Sequence, residues 1–310
     1  MDAIKRLEEL TFPELDALDR GRTVVIFTVS PLEEHGPHLP LGVDAFTADY
    51  FARAIAERIV TERPGWVAVL VPPLYLGSWL FEAPGSVRLS QRTLRDLLVE
   101  YGSALAKYGF RHLLISNGHA GPGHLVALEE AAHTVSRRFG VSMASFTGQL
   151  AHAFLRGEFW ETIQRHLGRP FTEEERAALR DDQHAGKWET SMMLWLRPEL
   201  VREGYRDLPP SRFGVRERLT PHYPLRQGNR LGYVGSPALA SPELAQASAR
   251  ALLDAAMALV NPLLNGQFKP GDGRSFFYRL SIFRTNFWLY LGVGALLAAG
   301  LVTLYFWGRP

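Results

Sequence analysis

Among its 310 residues the chain has no cysteine. That removes disulfides, thiolate metal sites and a thiol nucleophile together. Any metal must then be held by His, Asp and Glu, a donor set suited to catalytic Zn, Mn, Fe or Mg. Net charge is only +2, so the electrostatic footprint of a nucleic-acid binder is missing. No Gly-x-Ser-x-Gly elbow marks a serine hydrolase, and no Gly-x-x-x-x-Gly-Lys-Ser/Thr loop marks a nucleotide site. Hydrophobic content of 46% and charge of 21% fit a globular chain with ample core rather than a disordered one. Internal repeats are absent. The opening MDAIKRLEEL has acidic residues and no apolar stretch, so it does not read as a signal peptide.

What is present begins at Glu33. The stretch Pro31-Leu32-Glu33-Glu34-His35-Gly36-Pro37-His38-Leu39-Pro40-Leu41-Gly42-Val43-Asp44 packs carboxylates and imidazoles into one loop. Gly36, Pro37 and Pro40 exclude a helix across it. It follows the apolar run 23–29, which reads as a buried strand. Ligands of this type just beyond a strand end suit a hard-to-borderline divalent ion.

Strand-like and helix-like segments then alternate. Residues 45–60, 91–108 and 123–139 read as helices, and 66–71, 112–116 and 141–146 as strands. The pattern predicts an α/β fold: a mainly parallel sheet flanked by helices on both faces, with ligand sites at the carboxyl ends of strands. Residues 151–180 read as a charged helical layer, 202–232 as a loop rich in Pro, Arg and Gly, and 241–264 as a final helix.

Two further clusters carry chemistry. Ser116-Asn117-Gly118-His119-Ala120-Gly121-Pro122-Gly123-His124 sits at a strand-to-helix turn, and His184-Ala185-Gly186-Lys187-Trp188-Glu189-Thr190-Ser191 opens an apolar helix. Each has a bland competitor. Asp44 precedes a helix and has a competing reading as its N-cap, His119 as a polar turn residue and Glu189 as a solvated helix residue, but five groups matching one site template in order favour the metal site. His124 reads as a surface or helix-start histidine. His112, His133, His152, His166 and His222 have no partner pattern and read as structural.

Taken together, the clusters resemble the creatininase family of metal-dependent amidohydrolases. The first is close to Glu-Gln-His-Gly-Pro-His-Leu-Pro-Leu-x-x-Asp, with Glu34 in place of Gln. The second resembles Asn-Gly-His-Gly-Gly-Asn and the third His-Ala-Gly-x-x-Glu-Thr-Ser. The segment Gly232-Tyr233-Val234-Gly235-Ser236-Pro237 resembles the family's closing Gly-x-x-Gly-Asp-Pro. The resemblance implies two divalent ions (Zn, Mn or Fe), one held by Glu33, Asp44 and His119, the other by His35 and Glu189, with Asp44 bridging. It implies a bridging hydroxide as nucleophile, His184 as proton shuttle to the leaving nitrogen, and Glu189 in a catalytic as well as a ligand role. Ser78, Trp188 and His38 are candidate substrate contacts, His38 reading also as a group that orients a ligand. Trp79 and Trp188 are candidates to line a pocket or to fill the core.

Departures from the pattern cluster around the substrate. Gly121 stands where some members supply the second-metal carboxylate. Pro122 replaces Asn, and Lys187 replaces a Glu, which would place a cation near the site. The stretch 76–86 lacks a His often found there. The implied function is hydrolysis of a non-peptide or cyclic amide C–N bond in a small molecule. The alternative is a membrane-tethered scaffold that kept the fold without turnover.

The one long apolar run is Phe287 to Trp307, 21 residues without a charge. As a helix it spans about 31 Å, with aromatic residues at both ends, as a single transmembrane anchor requires. Lys269, Arg274, Arg279 and Arg284 precede it, which by the positive-inside rule places the domain in the cytoplasm. The expected organisation is thus a hydrolase domain at 1–265, a basic juxtamembrane linker at 266–286 and a transmembrane helix at 287–307. The family resemblance also implies a homo-oligomer.

Overall fold

The structure is a computed structural model that describes residues 3–212 and 231–307. Strand β2 (Thr23–Ser30) is its hub. All eight residues are buried, so it needs apolar cover on both faces and ladder partners on both edges. It pairs in parallel with β3 (Val67–Leu70) on one side and β5 (His112–Ser116) on the other. β1 (Ile4–Arg6) and β6 (Ser142–Ser145) extend the sheet to the order β1-β3-β2-β5-β6, all parallel. Pro72 and Pro73 withdraw two backbone donors after β3, and pairing resumes only at β4 (Leu74–Tyr75), against the end of β2. β1 and β4 add to the strands expected from the sequence, and both are too short to show a pattern.

Period-two alternation along β2 divides the core. Val25, Phe27 and Val29 face α3 (Gln91–Lys107) and α4 (Pro122–Phe139), packing with Leu94, Leu98, Leu128 and Val135. Val24 and Ile26 face α2 (Val43–Glu62) and the long helix Pro242–Leu264, packing with Ile55, Ile59, Met257 and Val260. The chain runs from β2 outward to β3, then crosses back over β2 to β5. Such a reversal leaves a crevice beyond the carboxyl ends of β2 and β5. The expected α/β architecture is the one observed.

The charged layer resolves into α5 (Thr147–Leu155), α6 (Trp160–Leu167) and α7 (Glu173–Arg180), followed by α8 (Lys187–Leu196). Of the expected loop at 202–232, residues 213–230 lie outside the described residues, and so does His222.

Residues 266–286, expected as a juxtamembrane linker, are hydrogen-bonded to the domain. Both Ser275 donors, N–H and Oγ–H, reach Glu129 Oε2 at 3.1 and 3.2 Å, Thr285 N–H reaches Glu130, and Gln91 donates to the Phe283 carbonyl at 2.7 Å. Tyr278 is buried. Among the described residues, two helices are long and apolar enough to cross a bilayer. Pro242–Leu264 is more than half buried and is a core helix, whereas no part of the apolar stretch Phe287–Leu304 is buried against the domain.

Leu98 is wholly buried between α3 and the sheet. Leu98→Ala therefore lowers unfolding free energy by about 2–5 kcal/mol in denaturant titration, whereas Tyr108→Ala at a mostly exposed site changes it by under about 0.5 kcal/mol. Burial, with a smaller contribution from Glu130, raises the Glu129 carboxyl from 4.5 to about 7 against the Ser275 donors and Arg274. The folded state thus holds this proton more tightly than the unfolded one, and stability falls as pH rises from about 4.5 to about 7. Glu129→Gln flattens that part of a stability–pH curve; an unchanged slope refutes the assignment.

Candidate metal centre

The crevice is floored by the loop after β2. Glu33 N–H closes on the Leu41 carbonyl at 3.0 Å, and Gly36 turns the chain at φ +68°, donating to Glu34 Oε2 at 3.0 Å. The loop ends in α2, whose N-cap is Gly42, not Asp44; Asp44 lies in the first turn and makes no cap hydrogen bond. Its carboxylate points inward instead.

Asparagine 117 ties the second cluster to the first. Its Oδ1 accepts from Ser30 Oγ–H on β2, from the His119 N–H and from His124 Nε2, while its Nδ2 donates to the His119 carbonyl at 2.6 Å. This turn passes so near α2 that a Cβ on Gly118 would lie 2.3 Å from the Asp44 carbonyl oxygen. His124 is at the helix start as expected but is fully buried, not on the surface. The third cluster is pinned by the closing segment: His184 and Val234 exchange backbone hydrogen bonds at 3.1 and 2.7 Å. Asp182 caps α8 by accepting from the Lys187 and Trp188 N–H groups at 2.7 Å.

These three turns bring Glu33, His35, Asp44, His119, His184 and Glu189 together. His119 Nδ1 lies 3.0 Å from Glu33 Oε2 and 3.3 Å from Asp44 Oδ2. His35 Nε2 lies 3.4 Å from Asp44 Oδ1 and 3.7 Å from Glu189 Oε2. One Asp44 oxygen therefore faces each group. Glu33–Asp44–His119 and His35–Asp44–Glu189 each keep their donor atoms within 4.8 Å of one another, and so does Glu33–His35–His184.

For His35, His119 and Glu33 the second polar atom is occupied, which aims the free one, and Glu189 is steadied through the oxygen that faces His35. His35 Nδ1 donates to the Glu33 carbonyl at 3.0 Å, leaving the Nε2 lone pair inward. His119 Nε2 is 3.2 Å from the Trp79 carbonyl, leaving Nδ1 inward. Glu33 Oε1 accepts the Phe81 N–H, and Glu189 Oε2 the Ala185 N–H. Glu33 Oε2, Asp44 Oδ2 and His35 Nε2 are buried without a hydrogen-bond partner. Buried polar atoms are rarely left so. Orphaned oxygens and an imidazole lone pair converging on shared points fit divalent cations.

The field tells the same story. Burial opposes charge on His35, yet Asp44, then Glu189 and Glu33, push its pKa up to about 10. Burial likewise opposes charge on His119, and Glu33 and Asp44 overcome it, raising its pKa well above 6.5. For Asp44, burial disfavours the anion, but His35 and His119 hold the carboxyl well below its ordinary range. Glu189 moves upward, through burial and the Asp44 charge. The clustered carboxylates favour positive charge at this site.

His184 Nε2 donates to the Glu34 carbonyl at 2.8 Å, with its ring between His35 and Phe81 at 4.4 and 4.6 Å. His38 stands outside all three donor groups; its Nε2 meets Thr190 Oγ at 2.9 Å beneath the site. Trp188 lines a cavity of about 1010 Å³ that opens from His119, His184 and Glu189, whereas Ser78 and His38 do not line it. Lys187 brings no cation into this cavity: it is buried with Nζ 3.8 Å from Glu175 on α7. Trp79, expected as a candidate pocket wall, does line the cavity, while its carbonyl contact to His119, and the supports from Phe81 and Asn117, were not assigned from the sequence. Only the Asn of the Asn-Gly-His turn carried a signal, because Trp79 and Phe81 act through backbone atoms.

Comparison with known proteins matches these features to one family. The creatinine amidohydrolase (creatininase) family pattern covers residues 8–260. A mycofactocin precursor peptide peptidase of Mycobacterium ulcerans is 31% identical over 57% of this chain and 60% of its own length. The chain thus spans well under two thirds of that relative. Creatinine amidohydrolase of Pseudomonas putida is 27% identical over 66% of this chain and 77% of its own. A solved manganese creatininase superposes with a TM-score of 0.59 at 24% identity, covering 83% of this chain and 99% of that one. The fold, the three turns in their order and the family match over most of its length agree: the chain belongs to the creatininase family.

Proposed function

We propose that the protein is a membrane-anchored amidohydrolase that cleaves a non-peptide amide C–N bond, cyclic or linear, with two divalent ions. One observation carries the reading: the buried Asp44 carboxylate turns one oxygen toward Glu33 and His119 and the other toward His35 and Glu189. Glu33, Asp44 and His119 would hold one ion, and His35, Asp44 and Glu189 the second, with Zn, Mn or Fe suited to the donors. Bound there, the ions would supply a polarised amide carbonyl and an acidified water.

This chain's residues do the rest. The Glu33 carbonyl and Trp79 carbonyl fix the tautomers of His35 and His119, and the Phe81 and Ala185 N–H groups fix the rotamers of Glu33 and Glu189. His184, lining the cavity and steadied by Glu34, moves the proton. Water oxygen joins the carbonyl carbon, the C–N bond breaks, and the nitrogen leaves with the proton His184 delivers. Burial and the neighbouring His35 oppose charge on His184, but the Glu34 hydrogen bond with Glu33 and Glu189 holds its pKa above 6.5, as a proton donor near neutrality needs. Trp188 supplies an apolar wall, with Ser78 and His38 supporting the site from behind.

The apolar helix Phe287–Trp307 would anchor the protein, with the basic residues Lys269, Arg274, Arg279 and Arg284 on the cytoplasmic side. Anchors on every subunit restrict a homo-oligomer to geometries whose helices leave on one face. A second reading, cleavage of a peptide, is favoured by the 31% identity with a peptide peptidase.

Asp44→Ala loses both ions and turnover together, read by elemental analysis of the purified protein; unchanged metal content refutes the bridging role. His184→Ala keeps the metal and loses about 10²–10⁴-fold in kcat. Loss of metal from that variant would make His184 a ligand instead. Removing residues 287–307 shifts the protein from the membrane pellet to the supernatant on ultracentrifugation, and continued pelleting rejects the anchor.

A further inference from the structure

The cavity that opens from the metal centre is far larger and more apolar than a small cyclic amide requires. At about 1010 Å³ it lies at the upper end of the roughly 300–1,000 Å³ of ordinary ligand pockets. His119, His184 and Glu189 line it. So do Phe51, Ile55, Leu150, Leu252, Ala256 and Val260, from α2, α5 and the helix Pro242–Leu264. None of these six side chains can bond a polar substrate, so the wall they form favours hydrocarbon, while Thr47, Thr147 and Arg180 are among the polar residues that also line the cavity.

The remaining wall comes from the segment that leads into the anchor. Phe277 and Phe283 line the cavity, with ring centroids 5.8 Å apart, and Phe283 meets the Trp79 ring at 5.7 Å. The same short segment turns Phe276, Leu280 and Ile282 outward, each more than a third exposed. It is apolar on both sides: inward to the cavity, outward where a bilayer would lie at the start of Phe287–Trp307. Arg279 and Arg284 flank it with positive charge, Arg284 over the Tyr278 ring at 4.7 Å.

Resting on the amidohydrolase reading above, we propose that the substrate is a hydrocarbon-tailed amide drawn from the bilayer, its tail lying in this cavity while the amide reaches His119, His184 and Glu189. Hydrolysis then adds water across the amide C–N bond, yielding a carboxylic acid and an amine, one of which keeps the tail. Each methylene added to the tail increases buried apolar surface until the cavity is full. That corresponds to about a fourfold gain in kcat/KM per methylene.

The test uses the full chain, manganese-loaded, in lipid nanodiscs, with two readouts. The first is the kcat/KM ladder over acyl p-nitroanilides from acetyl to myristoyl, expected to climb and then level. The second is photolabelling of the metal-free protein by a fatty amide with a diazirine at the tail end, expected on the peptides carrying Phe51, Ile55, Leu252 and Ala256. Ala256→Trp should abolish both the ladder and the labelling, and the milder Leu252→Phe should make the ladder level at a shorter chain. Circular dichroism establishes that each variant is folded. If acetyl and myristoyl amides turn over alike and label appears only in Phe287–Trp307, the tail site is refuted and the amidohydrolase stands. If the cavity is labelled but every amide is inert, the amidohydrolase reading fails and the tail site stands.

Discussion

Two buried carboxylates, Glu33 and Asp44, and a partly buried third, Glu189, crowded against imidazoles in one pocket are the constraint from which the rest of the site follows. Glu33, Asp44 and Glu189 bring their oxygens within a few ångströms of two imidazoles. Two like charges about 4 Å apart repel by on the order of 4 kcal/mol at an effective dielectric constant near 20. Three such groups, with desolvation added, would favour opening the loop after β2. The fold instead clamps that loop with the Glu33–Leu41 and Val87–Leu32 backbone hydrogen bonds and through the network of Asn117. The structure thus holds the charged groups in place, with Glu33 Oε2, Asp44 Oδ2 and His35 Nε2 buried and unpartnered between them.

Holding ligands this way requires unusual backbone. Trp79 and Ala185 are the non-glycine residues with positive φ among the described residues, at 62° and 48°. Such conformations cost on the order of 1–3 kcal/mol each and persist where surroundings fix them. Both act on ligands: the Trp79 carbonyl sets the His119 tautomer, and the Ala185 N–H sets Glu189. Strain is stored where it aims a donor atom.

How far the sequence was legible follows from which atoms do the work. The four longer strands and the helices about them could be read because both-face burial and helical spacing repeat over many residues. β1 and β4 could not, since three and two residues show no period. The candidate site was legible as residue types in order: Glu33, His35, Asp44, His119 and Glu189 converge. What supports them was less so. Asp44 reads as a cap in sequence, but only the structure shows Gly42 taking that role. Lys187 reads as a cation for the site, yet α7 supplies Glu175 to draw it away. Trp79 and Phe81 work through peptide groups, which every residue has, so nothing in their identity announces the role. The segment 266–286 reads as a linker by composition, and its docking depends on Glu129, Glu130 and Gln91, all distant in the chain.

Position 121 leaves no room for a side chain. A Cβ on Gly121 would lie 2.4 Å from His119 Nε2 and 2.7 Å from the Trp79 carbonyl, so no side chain fits there while that hydrogen bond exists. A carboxylate at 121 and the Trp79–His119 contact are mutually exclusive. This chain keeps the contact, and with it the Trp79 ring that packs on Phe283 and links the metal centre to the C-terminal segment. α8 presents Glu189 Oε2 to His35 Nε2 at 3.7 Å. Trp79 touches both regions, through its carbonyl at His119 and its ring at Phe283.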